Sequence, residues 1–254
     1  MSFNLSSISR GVVITPPRLI VYGPHGVGKT TFLSEAPNPI LLPTEDGKGT
    51  LSIASFPIAT TYAQVMEAIA TLFQEQHDFQ TFALDSLDWL EPIIWAETCK
   101  RNNWQDIEQP GFGKGYIAAA DVWREFFSGL VALRDTKNMQ VILTAHCEIK
   151  VFNDPSNEPY DRYQIKLQNR ASALAQEWAD LVGFINNKSY IAKTKRGIKD
   201  VITRGVGAGE RVLYTEERPS HYAKNRYNLA PELAMPKGGS YANLMANIFP
   251  TTAN

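Results

Sequence analysis

Short, largely apolar runs punctuate the chain at 19–22, 40–42, 82–84, 140–144 and 181–185, each bounded by turn-forming residues. Their apolarity is continuous rather than alternating, which predicts strands buried on both faces, as in a parallel sheet covered by helices. Between them the spacing is helical. Tyr62, Val65, Met66, Ile69, Leu72 and Phe73 share one helix face, and Trp123, Phe126, Phe127, Leu130 and Leu133 share another. A third helix is expected over 86–100, with Pro92 as a kink or break.

After residue 186 the pattern changes. Residues 188–204 alternate polar and apolar, 205–209 hold three glycines, and 211–215 read as a strand, which together predict an antiparallel hairpin. Beyond Pro231 no period is readable. Strand–helix alternation defines an α/β fold with a mainly parallel sheet flanked by helices, plus a C-terminal antiparallel hairpin extension.

With 44% hydrophobic and 20% charged residues, disordered and low-complexity classes are excluded. Two cysteines occur, Cys99 in a helix-like stretch and Cys147 at the end of an apolar strand-like run, a placement that argues against a disulfide framework or a four-ligand zinc site. No apolar run approaches the roughly 18 residues that span a membrane, and no basic-then-apolar leader opens the sequence. A soluble, cytoplasmic protein with no membrane partner is expected. The net charge of −1 argues against a chain that is basic throughout, but 186–226 alone carries +6 and the remainder −7. Any polyanion contact is therefore local.

Chemistry enters at G-P-H-G-V-G-K-T, the segment 23–30 directly after the first apolar run. It matches the phosphate-binding P-loop in full. Backbone N–H groups of Gly23, Gly26, Val27 and Gly28 cradle phosphates, Pro24 and His25 fill the loop, and a helix follows. Lys29 reaches the β- and γ-phosphates, the Thr30 hydroxyl ligates Mg²⁺, and Thr31 stands beside it. A second Mg²⁺ carboxylate belongs at the end of a neighbouring strand, and Asp85 in T-F-A-L-D-S is placed there; alone, it would read equally as a cap of the next helix. Water activation needs a further base, and no acid follows Asp85 directly. Glu45, ending the 40–44 run, can share the carboxyl edge with Asp85, with Asp46 its nearest competitor.

The order of these features resembles the RecA-type ATPases: P-loop, T-E-D at 44–46, L-D-S at 84–86, then L-T-A-H at 143–146. More closely the chain is similar to the phage-encoded RecA-like single-strand annealing proteins of the Sak type. That resemblance adds G-F-G-K-G-Y at 111–116, D-P-S-N-E-P-Y-D-R-Y at 154–163 and A-K-N-R-Y at 223–227, and covers about 17–231. It implies one ATPase core over 1–231, with 1–17 as an N-terminal arm, 186–231 as a basic hairpin extension and 232–254 as a tail. It implies ATP and Mg²⁺ as cofactors, ATP hydrolysis, single-stranded DNA as partner and a homo-oligomer, ring or filament. A single-strand-binding protein as a further partner and the cytoplasm of a bacterial host are expectations of the same resemblance.

Residue by residue, the resemblance makes His146 the γ-phosphate sensor, and Lys224 and Arg226 fingers reaching a neighbour's nucleotide. Two DNA-facing loops would be 109–116, with Lys114, and about 148–170, with Lys150, Arg162, Lys166 and Arg170 beside Phe152, Tyr160 and Tyr163. Cations neutralise phosphates there while aromatics stack on bases. The sequence departs from bacterial RecA in having only about 18 residues before the first strand, which favours annealing over long-filament strand exchange. Two other classes fit a P-loop: a phosphotransferase on a small substrate, although no compact Arg-rich lid is present, and a nucleotide-dependent switch or loader that binds a replication protein.

Overall fold

The computed structural model describes residues 15–47, 49–195 and 201–250, and only the backbone over 189–195 and 201–208. In chain order the elements are β1 (Arg18–Gly23), α1 (Lys29–Ser34), β2 (Pro39–Pro43), β3 (Ala54–Ser55), α2 (Tyr62–Gln74), β4 (Thr81–Asp85), α3 (Leu87–Asn102) and α4 (Lys114–Lys137). Then come β5 (Gln140–Phe152), β6 (Tyr160–Ile165), α5 (Asn169–Trp178), β7 (Leu181–Lys195), β8 (Val201–Tyr214), β9 (Lys224–Asn225), β10 (Glu232–Ala234) and α6 (Ser240–Ile248).

The sheet runs β10-β8-β7-β1-β5-β4-β2-β3, parallel from β7 to β3 and antiparallel where β8 and β10 join. The apolar runs are continuous because alternate residues serve opposite faces. Ile20, Tyr22, Leu42, Phe82, Leu84, Val141 and Leu143 pack under α2, α3, α4 and α5. Leu19, Val21, Leu41, Ala83 and Ile142 pack against α1 and α6. On α4, Trp123, Phe126, Leu130 and Leu133 are fully buried, each worth about 1.5–3 kcal/mol of apolar transfer. The start of α2 is fixed by a reciprocal cap, in which Thr61 accepts from the Gln64 N–H and Gln64 accepts from the Thr61 N–H.

The α/β architecture and the C-terminal antiparallel hairpin expected from the sequence are both present, and β5 lies between the P-loop strand β1 and the Asp85 strand β4. Three expectations need correction. First, α3 continues through Pro92 without a break. Second, the strand predicted over 140–144 extends to Phe152 and leaves the central sheet to pair with β6. The segment expected as a second loop at 148–170 is thus a β-hairpin followed by the first turn of α5. Third, the unpatterned tail is structured: β10 pairs with β8, and α6 buries Tyr241, Leu244 and Ile248 against the α1 side. Its apolar residues are split between a two-fold strand period and a helical one across a turn, so no single period reveals them.

Residues 1–14 of the N-terminal arm lie outside the described residues, as do the side chains of Lys193, Lys195, Arg196, Lys199 and Arg204 in the basic extension. Among the described residues no helix is long and apolar enough to cross a membrane.

Candidate functional site

Parallel register brings the motif residues to one edge. His146 pairs with Gly23 across β1 and β5, and Asp85 pairs with Pro43 across β4 and β2, so Thr44 and Glu45 emerge beside Asp85. The Thr44 N–H donates to the Asp85 carbonyl at 2.8 Å, and the Thr44 hydroxyl donates to the Ser86 carbonyl at 2.8 Å, which pins the exit of β2 to that of β4. The Asp85–Ser86 peptide bond is cis.

A cavity of about 420 Å³ opens at this edge, lined by His25, Lys29, Thr30, Glu45, Asp85 and His146. Lys29 is 5% exposed, and its ammonium donates to the carbonyls of Gly23 at 3.1 Å and Pro24 at 3.0 Å. Burial lowers its pKa, a cost that Asp85 and Asp88 partly offset. The Thr30 hydroxyl donates to Asp85 Oδ2 at 2.7 Å, and the Thr144 hydroxyl donates to Asp85 Oδ1. A hydroxyl and a carboxylate converging in this way are an oxygen donor pair suited to Mg²⁺, which keeps several waters and takes only one or two protein ligands. Among the described residues no group of three or more His, Cys, Asp or Glu forms a self-sufficient metal cage.

Glu45 accepts from the Ser86 hydroxyl at 2.7 Å, and its Oε1 lies 3.9 Å from His146 Nδ1. His146 is held by a residue that sequence reasoning passed over. Asp88, in the first turn of α3, accepts from the His146 N–H and from its Nδ1–H, both at 2.9 Å. Burial pushes the Asp88 carboxyl up, but these two bonds outweigh it and hold the acid below its ordinary range. With the proton on Nδ1 directed to Asp88, Nε2 of the neutral ring is an acceptor, and only a ring carrying both protons has a second N–H to donate. The spacing of Asp88, three residues past Asp85 on the same helix entry, was the signal available for it.

His25, expected as loop filler, stacks its ring on His146 at 3.8 Å between centroids. The neighbouring imidazole, partial burial and Lys29 lower the His25 pKa, with Asp88 and Glu45 opposing. On the other side of the P-loop a second cavity of about 670 Å³ is lined by Gly26, Val27, Asn187, Arg211, Met235 and Pro236.

The residues expected at DNA or across subunits divide. Lys114, Lys166 and Arg170 are exposed. Lys150 pairs with Glu148 at 2.9 Å and donates to the Leu167 carbonyl. Arg162 and Tyr163 turn inward: Arg162 is 8% exposed, pairs with Glu217 and lies over the Phe152 ring, while Tyr163 stacks on Phe184. Lys224 and Arg226 lie at the opposite edge of the sheet from the P-loop, because β9 pairs with the beginning of β7. The Lys224 ammonium donates to the carbonyls of Gln176, Glu177 and Ala179 at the end of α5, and Arg226 pairs with Asp180 at 3.0 Å.

A family model described as an AAA domain matches residues 15–227. No curated protein matches the chain. Among solved structures the chain is similar to the RadB recombinase, with a TM-score of 0.48 and 13% identity over 89% of this chain and 90% of that one.

Proposed function

The chain belongs to the AAA domain family, and from that premise we propose that it is a Mg²⁺-dependent P-loop ATPase that binds single-stranded DNA and promotes annealing or homologous pairing. The observation that carries the ATPase reading is the gathering of Lys29, Thr30, Asp85, Glu45 and His146 around one cavity.

On ATP binding, Lys29 exchanges the Gly23 and Pro24 carbonyls for phosphate oxygens. That exchange gives a buried cation, whose hydrogen-bond acceptors are otherwise two neutral carbonyls, charged acceptors instead. Thr30 and Asp85 would hold Mg²⁺, which supplies charge neutralisation at the β- and γ-phosphate oxygens. Glu45, positioned by the Ser86 hydroxyl, accepts a proton from the attacking water as its oxygen bonds to the γ-phosphorus and the bond to ADP breaks. His146 faces the same cavity with its ring orientation set by Asp88. The second cavity, on the far side of the loop, offers room for the nucleoside end.

The DNA part of the proposal is supported by the hairpin of β5 and β6 rising from His146 itself, with exposed Lys166 and Arg170 at its base and exposed Lys114 on the start of α4. Phe112, 99% exposed beside Lys114, offers a stacking surface. Lys224 and Arg226 are already engaged within their own chain, so we assign them to holding α5 against β7.

The test is a single-stranded DNA binding isotherm at two salt concentrations, with and without ATP. A steep loss of affinity with salt supports phosphate neutralisation. Absence of binding in either nucleotide state refutes the DNA reading and leaves a nucleotide-dependent switch or loader. Lys29→Ala is expected to abolish ATP binding, read by calorimetry; undiminished affinity would refute the nucleotide site.

A further inference from the structure

Arg211 on β8 is a cation with an unusual set of partners. Its Nη1 donates to the Val27 carbonyl of the P-loop at 3.0 Å. Its Nε donates to the Met235 carbonyl at 3.1 Å, and Nη2 donates to the Pro236 carbonyl at 3.1 Å and to Ser240 Oγ at 3.0 Å. Among the described residues no carboxylate forms an ion pair with it. The guanidinium also occupies the space beside Gly28, where a Cβ would stand 1.9 Å from Nη1. Gly28 has φ +97°, a backbone conformation that favours glycine, and any side chain added there would displace the guanidinium from its present place.

The planar fork therefore spans two segments far apart in sequence. On one side is the loop whose N–H groups are to meet phosphate; on the other is 235–240, itself tied to the P-loop helix where the Tyr241 N–H donates to Glu35 at 2.9 Å. A carbonyl held from behind fixes the orientation of its peptide plane, and with it the N–H that the plane presents to the opposite side. An arginine whose partners are all neutral also leaves its charge uncompensated next to a polyanion site.

We propose that Arg211 is a positioning residue of the nucleotide site: it sets the P-loop in its phosphate-binding conformation and makes the C-terminal segment 235–244 respond to phosphate. The inference rests on the ATPase reading and adds a residue and a segment to it. The guanidinium fork carries the role, since a lysine at this position keeps the charge but cannot reach the four acceptors.

Two measurements on the full chain test it. The first uses the unmodified protein and Mg²⁺-tripolyphosphate, which has no base or ribose with which to touch 235–237. Hydrogen exchange is expected to slow over 23–31 and over 235–244 together; protection confined to 23–31 overturns the proposal. The second compares R211M and R211K with the unmodified protein by calorimetry and steady-state hydrolysis. Both variants are expected to bind ATP about tenfold or more weakly, with kcat at saturation within about twofold. A lowered Tm with unchanged ATP affinity, or full rescue in R211K, overturns it. Should the variants fail to fold, the exchange measurement decides alone. If neither ATP nor tripolyphosphate binds the unmodified protein, the ATPase reading itself falls, and this inference with it.

Discussion

Glu45 sits within hydrogen-bond reach of Ser86 and 3.9 Å from the His146 ring, which gives it a fixed direction but leaves the carboxylate able to accept a proton. Glu45→Gln preserves shape and removes that capacity. ATP binding should persist while kcat falls by about 10²–10⁴-fold; hydrolysis at the normal rate would move the base elsewhere, with Asp46 the next candidate. Gly28→Ala tests the loop backbone instead. An added Cβ is strained in this left-handed conformation and must displace the Arg211 guanidinium, so ATP affinity measured by calorimetry should fall by about 10- to 100-fold while the rest of the fold persists. At this scale the candidate site was legible wherever chemistry depends on neighbours in sequence. Lys29, Thr30 and Asp85, and His25 as a loop residue, were named from local motifs, whereas Asp88 and the stacking of His25 were not, since both depend on the position of His146.

Among the elements, α3 connects the two ends of the β5–β6 hairpin. Asp88 holds His146 where the hairpin leaves the sheet, and one turn later Glu91 accepts from the Gln168 N–H with both oxygens, at 2.9 and 3.1 Å, where the chain enters α5. Burial pushes the Glu91 carboxyl up to about 7, against the opposing effects of the Gln168 N–H and Lys150. A folded-state pKa above the unfolded value means that the native state holds the proton longer. Stability is then greatest below the unfolded pKa and declines as pH rises towards about 7. Glu91→Gln resembles the protonated acid, so it should be more stable than the unmodified protein near pH 8 by about 1–3 kcal/mol, a gap that closes towards pH 5. Denaturant titrations at both pH values check this; a gap independent of pH would refute it. The helical period predicted α2 and α4 because each exposes one face to water. The full length of β5 was hidden, because beyond His146 its residues leave the two-sided core and alternate between half-buried and exposed.

For the whole molecule, the consequence is that the nucleotide edge is built on a C-terminal segment with no legible pattern. Leu244 is 1% exposed on α6, in the same core as Phe32 and Leu33 of the P-loop helix. Leu244→Ala should cost about 2–5 kcal/mol, seen as a fall in Tm, by leaving a cavity under α1. Near-unchanged stability would mean that α6 does not hold α1 in solution. The sequence by itself determined the α/β class, the strand that carries the P-loop and the edge at which Asp85, Glu45 and His146 collect. Continuous apolar runs record burial on both faces, and parallel strands necessarily share a carboxyl edge. Only the tertiary structure decided that Asp88 orients His146, 58 residues away, and that Arg211 grips the P-loop across 184 residues. It also decided that Arg162 and Tyr163 face inward, that Lys224 donates to the last carbonyls of α5 and that Arg226 pairs with Asp180. A side chain's partners across such separations are fixed by packing and strand register, which no local spacing encodes.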